Sequence, residues 1–434
     1  MGNSIHDFVQ MIWIYRLLFL PIFIIFLLKN LPKIFKRGGY GIDLRHRFGF
    51  FPRLPKIEKK RLWIQAVSMG EVNAIVQLIA LLSERYEIVL TSTTPTARKI
   101  IIEKLTKNVL FHGYFPWDFW LFSWIAWRRI CPDAAILVES ELWPEHIWQA
   151  KRRKIPVFLI NARLSNCSFR RYQKFPRLAH WIFEKIDFII ASSEQNLERI
   201  AAFRDKVIKY FGNIKFDIPI RSLSQETRKN LKKELGFSED SFVLLGCSTW
   251  PGEEAILLKA FRKIKARKSE HMSKDYNLLI VPRHAERRKE LVHWLQSENV
   301  SFWQRSKGIA EGKFDVCLAD TTGELAYLVQ VADLAYIGKS LAPNVGGQSP
   351  LDAAMAGVPV IYGNRMTNFC DICAQLEQEN AAVRIESEKD VINTVAELVE
   401  NIKIRQILSK NISNWFKKNQ GASTKIANFI RKII

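Results

Sequence analysis

The stretch GGQSPLDAAMAGVPVIYG, residues 346–363, combines features that together indicate a nucleotide-binding α/β fold. Its first two glycines carry no Cβ, so their backbone can approach a ligand closely. Ser349 is expected to cap a helix that starts at Pro350, and Asp352 falls in the first turn. The free N–H groups of a helix start favour a phosphate, and Asp352 can accept hydrogen bonds from ribose hydroxyls. A simple helix cap between two core elements explains these residues equally well, so both interpretations stay open.

The size and charge of the chain define its class. With 434 residues it exceeds one ordinary hydrophobic core, which predicts two domains. Hydrophobic residues make up 48% and charged residues 25%, which is typical of a globular protein and excludes a disordered one. The net charge of +22 indicates an anionic partner: nucleic acid, a membrane surface or a phosphorylated substrate.

The cysteines and histidines do not form the pattern of a metal site. Cys370 and Cys373 make a single CxxC pair without a second pair or a histidine cluster, which is weak evidence for zinc. Buried or unused cytosolic thiols explain them better. We therefore expect no structural metal.

Short apolar runs rich in Val and Ile alternate with helical patterns from residue 61 onward. Such runs are typical of parallel strands that helices cover on both faces. The predicted strands are LWIQAV (62–67), EIVLTST (87–93), AAILVES (134–140), IPVFLIN (155–161), DFIIASS (187–193), SFVLLGCST (241–249), NLLIVP (277–282), VCLAD (316–320), DLAYIG (333–338) and VPVIYG (358–363). Two doubly wound halves of this kind predict a ligand in the crevice at the carboxyl ends of the strands.

The N-terminal region predicts a membrane attachment. Residues 9–28 are nearly all apolar, interrupted by Gln10, Arg16 and Pro21. Twenty helical residues reach about 30 Å, the thickness of a bilayer core. Because Lys and Arg dominate residues 29–61, the rest of the chain is expected in the cytoplasm. The helix would span the membrane or lie at its interface, and a core helix followed by a solvated basic loop is the alternative.

Composition therefore predicts six segments. They are an anchor helix (1–30), a basic juxtamembrane segment (31–60), a first Rossmann-like domain (61–217), a linker (218–236), a second Rossmann-like domain (237–405) and C-terminal helices (406–434).

Charged residues follow several strands of the first half, at the edge where α/β folds bind ligands. Glu71 opens a helix and can take a proton from an attacking hydroxyl, although it would also complement the helix dipole. Glu139 and Glu141 lie two apart at a strand end, so an extended backbone would place them on the same side. Lys215 can offset the negative charge of a leaving phosphate.

The second half carries three comparable loops, STWPGEE (248–254), VPRHAER (281–287) and DTTGEL (320–325). Arg283 can bind a phosphate or carboxylate through two N–H groups, or it can belong to an ordinary exposed basic loop. Several such loops on one rim favour a nucleotide site over unrelated surface loops.

With these loops in order, the chain resembles the Kdo transferase family, whose members move 3-deoxy-D-manno-oct-2-ulosonic acid (Kdo) from CMP-Kdo onto lipid A precursor. The resemblance covers nearly the whole chain. Its motifs are SMGEV (68–72), TSTTPTA (91–97), ESELWPE (139–145), NARLS (161–165), GNIKFD (212–217), STWPGEE, VPRHAER, DTTGEL, GGQSPLDAAMAG (346–357) and Asn368-Phe369. It implies an α/β GT-B fold, with an N-terminal acceptor domain and a C-terminal donor domain around a cleft. It also implies an inverting displacement without metal or cofactor, with CMP-Kdo as the donor substrate.

The resemblance assigns roles to particular residues. Glu71 would be the general base, and Glu139 and Lys215 would stabilise the transition state. Contacts to CMP would come from Pro282, Arg283, Thr322, Gly323, Glu324, Ser349, Pro350, Leu351 and Asp352. The chain departs from the common family pattern GGHNPLE at Gln348, Ser349 and Asp352, and from TPTG at Ala97.

The resemblance also implies an acceptor at the cytoplasmic face of the bacterial inner membrane. The partner there would be a phosphorylated lipid A precursor in an anionic membrane surface. Residues 114–130 predict a contact helix, and a core helix is the alternative. Its relevant side chains are Trp120, Trp124 and Trp127 on one stripe, followed by Arg128 and Arg129.

Three other functions are consistent with parts of the sequence: a transferase using another nucleotide-sugar on a lipid, an inactive scaffold that binds anionic lipid, and a nucleic-acid-binding protein. The densest basic run follows a membrane-like segment, and no nucleic-acid-binding motif is present, so we expect no nucleic acid partner. The joint presence of Glu71, Glu139 and Lys215 disfavours the inactive scaffold.

Overall fold

The computed structural model describes most of the chain. The described residues are 11–21, 23–25, 28, 41–55, 59–219, 222–267 and 275–434. They divide into two compact units, one made of the residues up to Pro219 with Asn419–Ile434, the other of Ile220–Lys418. Parts of the predicted anchor helix, basic segment and linker lie outside the described residues.

The first unit is built on a parallel sheet. Its strands are β1 (Arg61–Gln65), β2 (Glu87–Ser92), β3 (Phe111–Tyr114), β4 (Ala134–Val138), β5 (Val157–Ala162), β6 (Phe188–Ala191) and β7 (Ile208–Tyr210). Their order is β3-β2-β1-β4-β5-β6-β7. Every residue of β1 and β4 is buried, because helices cover both faces of the sheet. Along β1, Leu62 and Ile64 enter one core and Trp63 enters the core on the opposite face.

Helices connect these strands. They are α1 (helical at 11–21, 23–25 and 28), α2 (Met69–Ala74), α3 (Val76–Ser83), α4 (Pro95–Leu105), α5 (Trp120–Ile130), α6 (Pro144–Arg152), α7 (Asn166–Lys174), α8 (Pro176–Phe183) and α9 (Glu194–Ala201). Side chains cap several of them: Thr94 accepts from Ala97 N at the start of α4, where Pro95 takes the first position.

The second unit repeats the architecture. Its strands are β8 (Phe242–Thr249), β9 (Tyr276–Pro282), β10 (Phe302–Gln304), β11 (Val316–Leu318), β12 (Leu334–Ile337), β13 (Val360–Gly363) and β14 (Ala382–Ile385). They form a parallel sheet with the order β10-β11-β9-β8-β12-β13-β14. Its helices are α10 (Gln225–Glu234), α11 (Glu253–Ala266), α12 (Arg288–Ser297), α13 (Leu325–Leu328), α14 (Leu351–Met355), α15 (Cys370–Gln378), α16 (Glu388–Glu400) and α17 (Ile402–Lys418).

The predicted α/β class with two doubly wound units is confirmed. The structure adds strands that the sequence patterns did not indicate, namely β3, β7, β10 and β14. These form the outer edges of the two sheets. An edge strand has one neighbour and stays partly exposed, as in β7 and β10, so it lacks the long apolar run that identifies a central strand.

Helix α1 is docked on the first unit by apolar and polar contacts. Ile12 is fully buried, and Tyr15 Oη donates a 2.6 Å hydrogen bond to Asp118. Arg16, which interrupts the apolar run, donates two hydrogen bonds of 2.8 and 2.9 Å to the buried carboxylate of Glu145. Within the described residues, none of the helices has the length and apolar character that crossing a bilayer requires.

The last helix, α18 (Ala422–Ile433), packs into the first unit, where Ala422, Ile426 and Ile430 join one face of its core. The buried carboxylate of Asp217 accepts hydrogen bonds from Gly421 N at 2.6 Å and Ser423 N at 2.5 Å at the start of this helix. The N-terminal end of a helix favours negative charge, so the carboxylate of Asp217 stabilises the start of α18. Because Asp217 belongs to the loop GNIKFD, these hydrogen bonds also join the helix to that loop.

Replacing Asp217 tests this connection. Asp217→Asn keeps the size of the side chain but replaces one of the two carboxylate oxygens that accept these N–H groups and removes the negative charge. We therefore expect the free energy of unfolding to fall by about 1–3 kcal/mol. Urea unfolding followed by tryptophan fluorescence measures it. Asp205→Asn, at an exposed carboxylate of the same unit, is the control and should change stability by less than about 0.5 kcal/mol. Equal stabilities of the two variants would refute a capping role.

Candidate active site

The first unit has a topological switch point between β1 and β4. From β1 the chain builds outward to β2 and β3, then returns to the other side of β1 as β4. The loops after β1 and β4 therefore diverge and leave a gap at the carboxyl edge, which is where open α/β sheets bind ligands. Glu71 follows β1, and Glu139 and Glu141 follow β4, so all these carboxylates lie at this gap.

Glu71 is held by the start of its own helix. Ser68 caps α2, and its hydroxyl donates to Glu71 Oε1 at 2.9 Å. Val67 N donates to the other carboxylate oxygen, Oε2, at 2.8 Å. Burial raises the pKa of Glu71, and the negative charge of Glu139 adds to the rise, although these hydrogen bonds and Lys215 oppose it. The carboxylate is therefore fixed in place and more basic than an ordinary glutamate.

Glu139 and Lys215 form an ion pair of 2.6 Å. Strand β4 ends at Val138, and Glu139 has a left-handed backbone with φ +60°. The expectation that Glu139 and Glu141 share an extended strand is therefore wrong, because the chain turns at Glu139. Both carboxylates still lie near Glu71. The charge of Glu139 raises the pKa of Glu71, and the charge of Glu71 raises the pKa of Glu141.

The loop that carries Lys215 is tied down on both sides. Asn161 Oδ1 accepts from Ile214 N at 3.2 Å, and Asn213 Oδ1 accepts from Lys215 N at 3.0 Å. Asp217 then connects the same loop to α18. Lys215 thus reaches Glu139 from a backbone that three separate side chains restrain.

Glu141 is a carboxylate whose role the sequence did not define. It accepts a 2.6 Å hydrogen bond from Trp143 Nε1. Burial, followed by the charges of Glu71 and Glu139, raises the pKa of Glu141 to about 7, and hydrogen bonding only partly opposes this. Glu71, Glu139, Glu141 and Lys215 are called here the carboxylate cluster, and near neutral pH Glu141 keeps its proton in part.

The second unit has its own switch point, between β8 and β12. The carboxylate of Glu253, only 2% exposed, organises the loops there. It accepts hydrogen bonds from Trp250 N at 2.9 Å, Lys339 N at 2.9 Å, Ser340 N at 3.1 Å and Tyr336 Oη at 3.0 Å. Glu253 belongs to the motif STWPGEE, but its role was not evident from the sequence. Its hydrogen bonds fix the loops after β8 and β12.

The opening motif occupies the adjoining loop. Helix α14 starts at Leu351 with Pro350 in the cap position, so the expected start at Pro350 is wrong by one residue. Ser349 Oγ still accepts from Leu351 N at 3.3 Å. Asp352 lies in the first turn as expected, and burial raises its pKa.

The two glycines of this motif are required by protein contacts. A Cβ on Gly347 would lie 2.3 Å from Met366 Sδ, and one on Gly346 would lie 2.7 Å from Asn368 Nδ2. Both have positive φ, which strains residues with a side chain. Neighbouring side chains of the same unit therefore already require glycine at both positions, and a close approach of this backbone to a ligand stays a prediction.

The remaining predicted donor residues follow β9 and β11. Pro282 ends β9 and is buried, and Arg283 is exposed while its N donates to Thr249 O at 3.1 Å. Thr322 and Gly323 are exposed, and Glu324 pairs with Arg305 at 3.4 Å. Thr321, Thr322 and Glu324 line a cavity of about 410 Å³. All of these residues lie at the carboxyl edge of one sheet, as the sequence predicted.

One group with metal-ligating side chains is present in the described part of the chain. His180, Glu184 and Asp205 have ligand atoms within 4.8 Å of one another. Glu184 already accepts hydrogen bonds from Asp205 N at 2.7 Å and pairs with Lys206 at 3.5 Å. The group precedes β6 and β7, at the amino edge of the sheet, so it lies away from the carboxylate cluster.

The raised pKa of Glu141 predicts a pH-dependent stability. The unfolded carboxyl titrates near 4.5 and the folded one near 7, so the stability that the protonated carboxyl contributes is full below about 4.5, falls as the pH rises to about 7, and is lost above it. Glu141→Gln is permanently neutral. We therefore expect its unfolding free energy, relative to the parent, to rise by about 1–3 kcal/mol between acid and mildly alkaline pH. Urea unfolding at several pH values measures this, and a difference that stays constant with pH would rule out the buried neutral carboxyl.

Known proteins are similar to this chain over most of its length. The sequence profile of the family described as 3-deoxy-D-manno-octulosonic-acid transferase (kdotransferase) matches residues 43–218. A 3-deoxy-D-manno-octulosonic acid transferase of Haemophilus influenzae is 29% identical over 405 residues, covering 91% of this chain and 92% of the relative. Another, from Rickettsia prowazekii, is 32% identical over 343 residues, covering 78% of this chain and 72% of the relative.

A solved structure shows the same fold. The UDP-GlcNAc 2-epimerase from Neisseria meningitidis, bound to UDP-GlcNAc, superposes with a TM-score of 0.60 at 16% identity, covering 86% of this chain and 100% of that chain. This likeness confirms the predicted GT-B type of fold. The relatives and the family profile lead to one assignment: the chain belongs to the 3-deoxy-D-manno-octulosonic acid (Kdo) transferase family and is a glycosyltransferase.

Proposed function

We propose that the chain transfers Kdo from CMP-Kdo to a phosphorylated lipid A precursor during lipopolysaccharide biosynthesis. The reaction takes place at the cytoplasmic face of the bacterial inner membrane and uses neither a metal nor a cofactor. The observation that supports it most is the carboxylate cluster, in which Glu71 lies beside the ion pair of Glu139 and Lys215.

Glu71 acts as the general base. Its carboxylate takes the proton of an acceptor hydroxyl, and the hydroxyl oxygen attacks the anomeric carbon of Kdo from the face opposite CMP. The bond between that carbon and the phosphate oxygen breaks, CMP leaves with the electron pair, and the configuration inverts. Because burial raises the pKa of Glu71, the carboxylate is a stronger base near neutral pH, and such catalysis contributes about 10²–10⁴-fold.

Lys215 and Glu139 set the charge around this base. The cation of Lys215 opposes the rise that burial and the charge of Glu139 cause in the pKa of Glu71, and so favours the ionised form of the base. The 2.6 Å pair also leaves a fixed positive group near the reacting atoms, which stabilises negative charge that develops in the transition state.

The donor residues support an anionic nucleotide. The exposed guanidinium of Arg283 can bind a phosphate or carboxylate with two hydrogen bonds. It lies at the same sheet edge as Thr322–Glu324 and Ser349–Asp352. CMP-Kdo carries both a phosphate and a carboxylate, which fits a binding edge with this chemistry.

The acceptor side is supported by an exposed apolar surface of the first unit. Phe19 of α1 stacks on Phe119 beside α5 at 6.1 Å, so the two helices lie next to each other. The exposed apolar residues on these helices, called here the apolar face, are Trp13, Ile14, Leu17, Leu18, Leu20, Ile24, Ile25, Leu28, Trp120 and Trp124. Trp127 is only 2% exposed, so the predicted stripe is divided: Trp127 lies in the core and the other two tryptophans face outward. An apolar face of this kind on a strongly basic protein suits an anionic membrane.

Glu71→Gln tests the proposed base. The amide cannot accept the proton, so we expect transfer to fall by about 10²–10⁴-fold. CMP-Kdo binding should persist, because the donor residues belong to the second unit. Mass spectrometry of the products and calorimetry with CMP-Kdo measure the two properties. The matched control is Glu194→Gln, an exposed glutamate in the first turn of another helix after a strand, which should leave transfer unchanged. Near-normal turnover of Glu71→Gln would eliminate this mechanism.

Replacing Trp120 and Trp124 together by Ser tests the membrane surface. These side chains are 46% and 38% exposed, so their loss should weaken sedimentation with anionic liposomes without lowering the unfolding temperature. Ile402→Ser with Ile407→Ser, at exposed apolar positions of the second unit, is the control and should bind liposomes normally. Equal binding by both double variants would exclude the apolar face as the contact.

A further inference from the structure

Lys339 has a backbone conformation that its residue type disfavours. It follows β12 and has φ +59°, in the left-handed region where a side chain costs free energy and glycine does not. The conformation is fixed from both sides, because Lys339 N donates to buried Glu253 at 2.9 Å and Lys339 O accepts from Gly347 N at 2.9 Å. A lysine that persists where glycine would be unstrained indicates that its side chain is used.

Four other non-glycine residues with positive φ have a different explanation. Cys131, Lys154, Asn299 and Asn380 follow the ends of helices, where a left-handed residue commonly terminates the helix. Lys339 follows a strand, as Glu139 does. The two also occupy equivalent places: β4 lies across the switch point from β1, and β12 lies across the switch point from β8. Lys339 is thus the topological counterpart, in the second unit, of the glutamate that pairs with Lys215.

The side chain of Lys339 lies among the predicted donor loops. Its Nζ is 4.2 Å from the ring centroid of Trp250, a cation–π contact. The Trp250 ring in turn contacts the ring of His284 at 5.3 Å, next to Arg283. Among the described residues no carboxylate forms an ion pair with Lys339, so its charge is available to an anion.

We propose that Lys339 binds the phosphate of the donor nucleotide. Three observations combine: a strained backbone held by Glu253 and Gly347, a position at the switch point, and a cation on an aromatic ring without a carboxylate partner. Leaving the face of Trp250 costs the ammonium little compared with a charge-assisted hydrogen bond to phosphate. The inference rests on the proposed nucleotide donor and deepens it, since it identifies a phosphate-binding cation outside the motifs that the sequence singled out.

Lys339→Gly separates charge from folding. Glycine adopts the same φ without strain, so the unfolding temperature should stay constant or rise. The affinity for CMP should fall about 10-fold, while that for cytidine, which has no phosphate, should not change. Calorimetry with CMP and competition by cytidine measure this. Lys339→Arg retains the cation and should bind CMP within about 3-fold of the parent.

Lys154→Gly is the matched control, because Lys154 is an exposed lysine of the first unit with φ +58°. It should show the same backbone effect on stability and normal CMP affinity. Unchanged CMP affinity of Lys339→Gly, or equal weakening of CMP and cytidine, would overturn the proposal. If the parent protein binds UMP and not CMP, the donor assignment fails, and the same comparison with UMP and uridine decides the role of Lys339.

Discussion

The strand order is the constraint on which both halves of this enzyme depend. In each parallel sheet the chain leaves the first strand in one direction and later returns to its other side, at β1 and β4 in one unit and at β8 and β12 in the other. Loops that diverge from neighbouring strands cannot cover the gap between them, so polar side chains there stay accessible to a ligand. Glu71 and Glu139 occupy one gap, and Glu253 and Lys339 adjoin the other.

Carboxylates with little exposure lie at both gaps, but their charges are balanced differently in the two units. Glu253 accepts four hydrogen bonds and serves as a structural anchor. The carboxylate cluster instead contains three carboxylates, Glu71, Glu139 and Glu141, and one cation, Lys215. This cation does not fully offset the effects of burial and of repulsion between the carboxylates. Raised pKa values of Glu71 and Glu141 follow directly, as the proposed role of Glu71 as a base requires. Such an arrangement costs folding stability, which the proposed reaction would explain, and the C-terminal helix α18 supports the neighbouring loop through Asp217.

The residues that were predicted well share a physical feature. Central strands such as β1 and β4 are buried on both faces, so their sequences are mostly apolar and can be recognised without the structure. Capping residues such as Ser68 and Thr94 act within one turn of their own helix, so local sequence suffices. The edge strands and the turn at Glu139 were missed, because partial exposure weakens the apolar pattern and a left-handed non-glycine residue has no clear sequence signal.

By itself, the sequence determined the α/β class, the two doubly wound units, the family and the edge at which the charged residues lie. These follow from apolar periodicity, helix capping and the order of motifs, all of which are visible in the sequence itself. Only the tertiary structure decided which charges meet: that Lys215 pairs with Glu139, that Arg16 of α1 pairs with Glu145, and that Lys339 rests on Trp250. Those contacts join residues that are distant in the chain, and their pKa values and strain depend on burial and geometry that no local pattern records.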